Sequence, residues 1–261
     1  MRLPKWKQIP GIPPDGVDDV RESEPGRRAV LMNIADNILK HHLRNVYVIA
    51  GHACGGKTTA SRYLAEKYDL ILLDWDAQFP EYQALADPMY QPAMSRRRQF
   101  TSWEEYFMQP PDEYAAWLHA TMREQEEMII AHLIRLSGMV GDRKIIVDGF
   151  FDVDTLKRIS DYDRVVFLLA SEEVVRREYF NRECKRDMYA CIMGLKNPEA
   201  ALENVFRTIL YGAEERERVI RESGFKWFKR ERPGTDPMDT IRKIEAHFGF
   251  ARQAGWGDVP K

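Results

Sequence analysis

The sequence predicts an α/β domain, doubly wound about a mainly parallel sheet of five strands with helices on both faces. Three observations carry this expectation. Short, continuously apolar runs recur along the chain, segments of helical period fill the gaps, and the first run stops abruptly at a glycine turn. Strands buried on both faces read as unbroken hydrophobic runs, which suits a parallel sheet covered on either side.

Residues 1–25 carry Pro4, Pro10, Pro13, Pro14 and Pro25 among scattered acids, and read as an extended arm without a core of its own. The remainder, 26–261, forms the domain. A helical period over 29–39 places Leu31, Ile34 and Ile38 on one face, with His42 a weaker fourth. The β-branched run at 45–50 then predicts a strand ending at Gly51. Further strands are expected at 70–74, 144–148 and 164–170, and a weaker fifth at 224–228. Helices are expected over 57–68, 111–136, 172–186, 198–222 and 237–248, the last with Asp236 as N-cap and Pro237 at its first position.

Composition narrows the function classes. The 261 residues hold 39 Lys+Arg against 41 Asp+Glu, a net charge of −2, so no general attraction to nucleic acid or acidic membranes is expected. No apolar run approaches the ~20 residues of a membrane helix. The first residues lack the apolar stretch of a secretory signal, and three cysteines show no metal-ligand spacing. A cytoplasmic protein is the expectation, without membrane or nucleic-acid partner.

The informative stretch is Gly51-His52-Ala53-Cys54-Gly55-Gly56-Lys57-Thr58-Thr59, which satisfies G-x-x-x-x-G-K-[ST] between an expected strand and an expected helix. Glycines let successive N–H groups point into one concavity, and the helix N-terminus adds its dipole, together cradling nucleotide phosphates. Lys57 would reach the β- and γ-phosphates and the Thr58 hydroxyl would ligate Mg²⁺. Cys54, beside a helix N-terminus and Lys57, is read either as a redox-sensitive thiol of lowered pKa or as a small residue that fits the turn, and the second is preferred.

Ligands of open α/β sheets lie outside the carboxyl ends of the strands. Asp148 ends the Ile-Ile-Val run and could hold Mg²⁺. Asp74 and Asp76 end the second strand, where alternation would aim both carboxylates one way, and one of them could accept the proton of an attacking hydroxyl.

These motifs resemble those of P-loop kinases of the nucleotide-kinase and shikimate-kinase group. Gly51–Thr59 resembles their phosphate loop, Asp148-Gly149-Phe150 the D-G-F of adenylate kinases, and Asp74-Trp75-Asp76 the D-x-D of shikimate kinases. The resemblance implies a P-loop kinase fold and transfer of the γ-phosphoryl of ATP, with Mg²⁺, to a small-molecule acceptor. It implies a lid at 172–195 whose arginines stabilise the transferring group: Arg182 first, then Arg186 on the same helical face at i,i+4, and Arg177 offset. Pairing of that lid with Glu173, Glu178 and Glu183 as a solvated face is the alternative.

The resemblance also implies that the insertion 77–138 covers the acceptor, and that Gly234 and Thr235 pass over the base. Between the second and third apolar runs, Trp75, Phe79, Tyr82, Tyr90, Phe100, Trp103, Tyr106, Phe107, Tyr114 and Trp117, with Arg96-Arg97-Arg98, form either a wall for a base or sugar or ordinary helix packing, which is preferred for any single aromatic. His119 is read as a packing or surface histidine. Where adenylate kinases continue with Pro-Arg, this chain has Phe151-Asp152, so a nucleoside-monophosphate acceptor is disfavoured against a hydroxyl-rich one. A nucleotide-binding switch acting through a partner is the competing class; the missing N-K-x-D disfavours a GTPase.

Overall fold

A computed structural model describes residues 34–96 and 100–250, which belong to one compact unit. The arm at 1–25, residues 29–33 of the expected 29–39 helix, Arg97 and Arg98 lie outside the described residues. The helix of that stretch begins at Asp36, after an extended Ala35, and buries Leu39 while Ile34 and Ile38 stay exposed. Five parallel strands, β1 (Val46–Gly51), β2 (Ile71–Asp74), β3 (Ile145–Gly149), β4 (Val165–Ala170) and β5 (Lys226–Arg230), stand in the order β2-β3-β1-β4-β5. The fifth begins two residues later than expected, because Gly224 turns at φ 86° and the Ser223 hydroxyl accepts the Phe225 N–H.

Side chains of a strand alternate between faces, so each strand feeds two cores. Val46, Val48, Ala50, Ile145, Val147, Val165, Phe167 and Leu169 pack on one face. There they meet Leu39 of α1 (Asp36–His42), Ile129 and Leu133 of α6 (Pro111–Val140), Leu156 of α7 (Val153–Ile159) and Ile220 of α11 (Ala213–Glu222). Ile49, Ile146, Val166 and Leu168 pack on the other, against Ala60 and Leu64 of α2 (Lys57–Tyr68) and Ile241 and Ile244 of α12 (Met238–His247). Each fully buried aliphatic side chain contributes ~1.5–3 kcal/mol over its exposed state. The fold is the doubly wound α/β architecture. With β3 on one side of β1 and β4 on the other, the connections diverge at β1 and open a crevice beyond its carboxyl end.

Two expected helices are broken. The segment 198–222 divides into α10 (Pro198–Leu210) and α11, because Gly212 takes the left-handed conformation at φ 66° and Arg216 ties the corner by donating to the carbonyls of Tyr211 and Ile209. The segment 172–186 ends as α8 (Glu172–Glu178). The Asn181 amide side chain donates to the Arg177 carbonyl, competing with helix continuation, and Tyr179 and Phe180 turn into an apolar cluster. The chain resumes in a 3-10 turn at Glu183–Lys185 and in α9 (Arg186–Met193).

Region 77–138 is helical: α3 (Trp75–Leu85), α4 (Pro92–Arg96), α5 (Trp103–Phe107) and most of α6. Helix α12 starts one residue later than expected, yet the Asp236 carboxylate still accepts the Met238 N–H.

Candidate nucleotide and phosphoryl-transfer site

The loop between β1 and α2 is shaped by the backbone of β4. The His52 N–H donates to the Leu168 carbonyl at 2.9 Å, and a Cβ on Gly51 or Gly55 would lie 2.2 or 2.4 Å from that same oxygen. Only glycine fits at either position. Gly56, at φ 96°, then delivers the chain into α2, whose first N–H groups have no helical acceptor. The result is a concavity of backbone donors at a positive helix end, suited to phosphate.

Lys57 is the first residue of α2. Its ammonium donates to the His52 carbonyl at 2.8 Å and lies 4.4 Å from the centre of the Phe150 ring. It holds no carboxylate, and burial pushes its pKa down to about 8. The Thr58 hydroxyl donates to Asp148 Oδ2 at 2.7 Å. Asp148, on the neighbouring β3, is 3% exposed, its Oδ1 has no hydrogen-bond partner among the described residues, and burial raises its pKa. A buried orphan oxygen beside a threonine hydroxyl fits Mg²⁺, which takes one or two protein oxygens and completes its shell with water and phosphate. Among the described residues no group of three or more His, Cys, Asp or Glu could hold a metal on its own.

His52 is neutral, because burial and the nearby Arg216 and Lys57 push its pKa down to about 4. Cys54 departs from the alternative reading, a thiol of lowered pKa. It is 8% exposed, packs with Ala170, Val174, Val175 and Ala53, and burial raises its pKa. At φ 60° it does occupy the turn, as the preferred reading had it.

The two carboxylates after β2 separate, contrary to the expected alternation, because the chain turns helical at Trp75. Asp74 lies beside Asp148 in the β2–β3 register, but it caps α3: Oδ1 accepts the Ala77 N–H at 3.1 Å and Oδ2 accepts from Arg62 at 3.0 Å. Asp76, in the first turn of α3, is exposed and makes no hydrogen bond or ion pair among the described residues, while its charge acts on Lys57, Asp148 and Lys185. Trp75 turns into the core against Phe150 and Phe151, and its ring lies where a Cβ on Gly149 would be.

Of the three arginines expected in a lid, only Arg182 acts on the phosphate loop through its charge. Arg182 precedes the 3-10 turn, donates to the Tyr179 carbonyl, lies 4.9 Å from the Tyr179 ring centre, and acts on Lys57 and Cys54. Arg177 and Arg186 are exposed and approach Glu173 and Glu183, each at 3.8 Å. Arg182 and Arg186 share no helical face, since the helix ends before either. Lys185 is a site residue that periodicity could not single out: its ammonium lies 5.4 Å from the Tyr179 ring centre and is held charged against burial by Tyr179 and Asp76.

On the far side of the loop is a cavity of about 200 Å³ lined by Gly55, Gly56, Thr59, Arg230, Thr235 and Pro237, among others. Thr235 lines it, whereas the Gly234 N–H is already given to Glu178 at 2.9 Å.

The aromatic wall does not form. Phe100, Trp103, Tyr106, Phe107, Tyr114 and Trp117 pack on one another, and the Trp117 indole donates to the Ala93 carbonyl. Tyr82 bonds His132, Phe79 packs on the main core, and Tyr90 is 74% exposed. Arg96 lies against the Phe100 and Trp117 rings. His119 bonds Arg216 at 3.2 Å. Among the described residues no helix is long and apolar enough to cross a membrane.

No protein-family model and no curated protein matches the chain. Among solved structures it is similar to shikimate kinase from Acinetobacter baumannii in complex with shikimate, at 19% identity and a TM-score of 0.39 over 81% of this chain and 94% of that one. It is also similar to shikimate kinase from Bacteroides thetaiotaomicron, at 15% identity and a TM-score of 0.35 over 80% and 97%. A likeness at these scores says nothing about substrate or activity.

Proposed function

We propose that this chain is a P-loop kinase that moves the γ-phosphoryl group of ATP, with Mg²⁺, to a hydroxyl of a small-molecule acceptor. One observation carries the reading. A glycine loop shaped by β4 sets Lys57 and Thr58 at the start of α2, and the Thr58 hydroxyl is bonded to Asp148, an aspartate with an orphan oxygen on the adjacent strand. Backbone donors, one ammonium held by a carbonyl and a ring, and a threonine–aspartate pair match the needs of a magnesium triphosphate.

Mg²⁺, held through Thr58 and Asp148, would neutralise charge on the phosphates. The chain's own residues do the rest by position. Lys57 exchanges the His52 carbonyl and Phe150 ring for phosphate oxygens, which keep it protonated. Asp76, exposed in the first turn of α3, accepts the proton of the acceptor hydroxyl as the hydroxyl oxygen bonds the γ-phosphorus and the bond to the β-phosphate oxygen breaks, releasing ADP. Arg182 and Lys185 place positive charge beside the equatorial oxygens, where charge spreads in the transition state. Asp74 supports this by fixing the start of α3. The cavity lined by Thr59, Thr235 and Pro237 takes the base and ribose.

The acceptor is bounded by chemistry rather than named. The charge of Asp76 on Lys57 and Asp148, and the absence of an arginine after Phe150-Phe151, favour a hydroxylated nucleoside or metabolite over a nucleoside monophosphate. A screen of ADP release against pooled nucleosides, nucleotides and sugars tests the reading. Stimulation by one pool is expected, and its loss in Asp76→Asn. Tight ATP binding with no stimulated release would instead favour a nucleotide-dependent switch.

A further inference from the structure

The proposed reaction leaves one charged pair unused. Arg230, the last residue of β5, donates from both terminal nitrogens to Glu178, Nη1 to Oε2 and Nη2 to Oε1, each at 2.8 Å. The same Nη1 donates to the carbonyl of Cys54, inside the phosphate loop, at 3.1 Å. Glu178 is the last residue of α8, and its Oε1 also accepts the Gly234 N–H at 2.9 Å. Phosphate loop, root of the lid and base-side loop, far apart in sequence, therefore converge on one guanidinium–carboxylate fork. Both side chains are largely withdrawn from water, at 19% and 27% exposure. Forked Arg–carboxylate pairs fix direction as well as distance, so each loop is held relative to the other. Arg230 also lines the cavity beside the loop, with Thr59 and Thr235.

We infer that Arg230 and Glu178 are positioning residues that couple the two halves of the nucleotide site, so that a phosphate group in the loop and a base in the cavity bind cooperatively. Ordering either loop transmits through the fork and lowers the cost of ordering the other. Such coupling is reciprocal and typically worth about fivefold or more in affinity. The inference rests on the nucleotide site proposed above, and its test separates the two.

The probes are magnesium pyrophosphate for the loop and adenosine for the cavity, each titrated alone and in the presence of the other. In the wild-type chain saturating pyrophosphate is expected to tighten adenosine about fivefold, and adenosine to tighten pyrophosphate equally. Arg230→Met and Glu178→Gln should each bring that factor to about one, with melting checked by circular dichroism. Arg230→Lys, which keeps charge but not the fork, should restore only part of it. Should Arg230→Met fail to fold, Glu178→Gln reads the same fork from the other side. A wild-type chain that binds both probes independently, or folded variants that keep the full factor, would overturn the inference and leave the nucleotide site standing. A wild-type chain that binds neither probe nor ATP would overturn both.

Discussion

Lys57 has its ammonium on a carbonyl and an aromatic face instead of on a carboxylate, and this sets the pH behaviour of the site. Burial lowers its pKa to about 8, from ~10.4 in an unfolded chain, so the ammonium loses its positive charge as pH rises past 8. Phosphate needs the charged form. Nucleotide affinity should therefore fall above pH 8, and binding at pH 8.5 should take up a proton, read as a buffer-dependent heat in calorimetry; heats that do not change with buffer would contradict this. The two aspartates after β2 divide differently. Asp76→Asn should lower kcat by ~10²–10⁴-fold with little change in melting, as loss of a general base does. Asp74→Ala should instead cost about 1 kcal/mol of stability, as loss of a helix cap does. Sequence could list both residues but not rank them, because the ranking depends on where the strand ends and the helix begins. Lys57, Thr58 and Asp148 were legible for the opposite reason: a contiguous motif, or a strand end, already fixes their place.

At the scale of elements, the turn after β3 hangs on α6. Glu126, buried in that helix, accepts the Asp152 N–H at 2.9 Å and the Thr155 hydroxyl at 3.1 Å. Burial raises its pKa to about 7, against ~4.3 unfolded. The folded state thus binds the extra proton between those values, and this contribution to stability is full below pH ~4.3 and lost as pH rises through 7. The wild-type melting temperature should decline between pH 6 and pH 8 more than that of Glu126→Gln, which stays neutral; parallel curves would remove Glu126 from this role. The broken helices show what local period cannot carry. Asn181 and Gly212 are each compatible with a helix interior by pattern, and each ends one through a side-chain bond or a left-handed backbone. The aromatic segment was legible as helix packing, since Tyr114, Leu118 and Met122 recur at helical spacing.

For the whole molecule, the strands could be placed from the sequence because each is an apolar run, whereas their order β2-β3-β1-β4-β5 depends on pairings between distant segments that no local pattern encodes. The site divides the same way. Its phosphate loop is one stretch of chain, while Lys185, Arg230 and Phe150 reach it through the fold. The near balance of charge also resolves into local asymmetry: Lys57, Arg182 and Lys185 gather at the crevice together with Asp76 and Asp148. In the proposed reaction these charges position and neutralise a transferring phosphoryl group. Acceptor-stimulated ADP production from Mg–ATP, measured side by side for the wild-type chain and Lys57→Ala, tests it most directly. Stimulated turnover by the wild type and a loss of ~10²–10³-fold or more in the variant is the predicted result, and equal turnover by the two chains would contradict it.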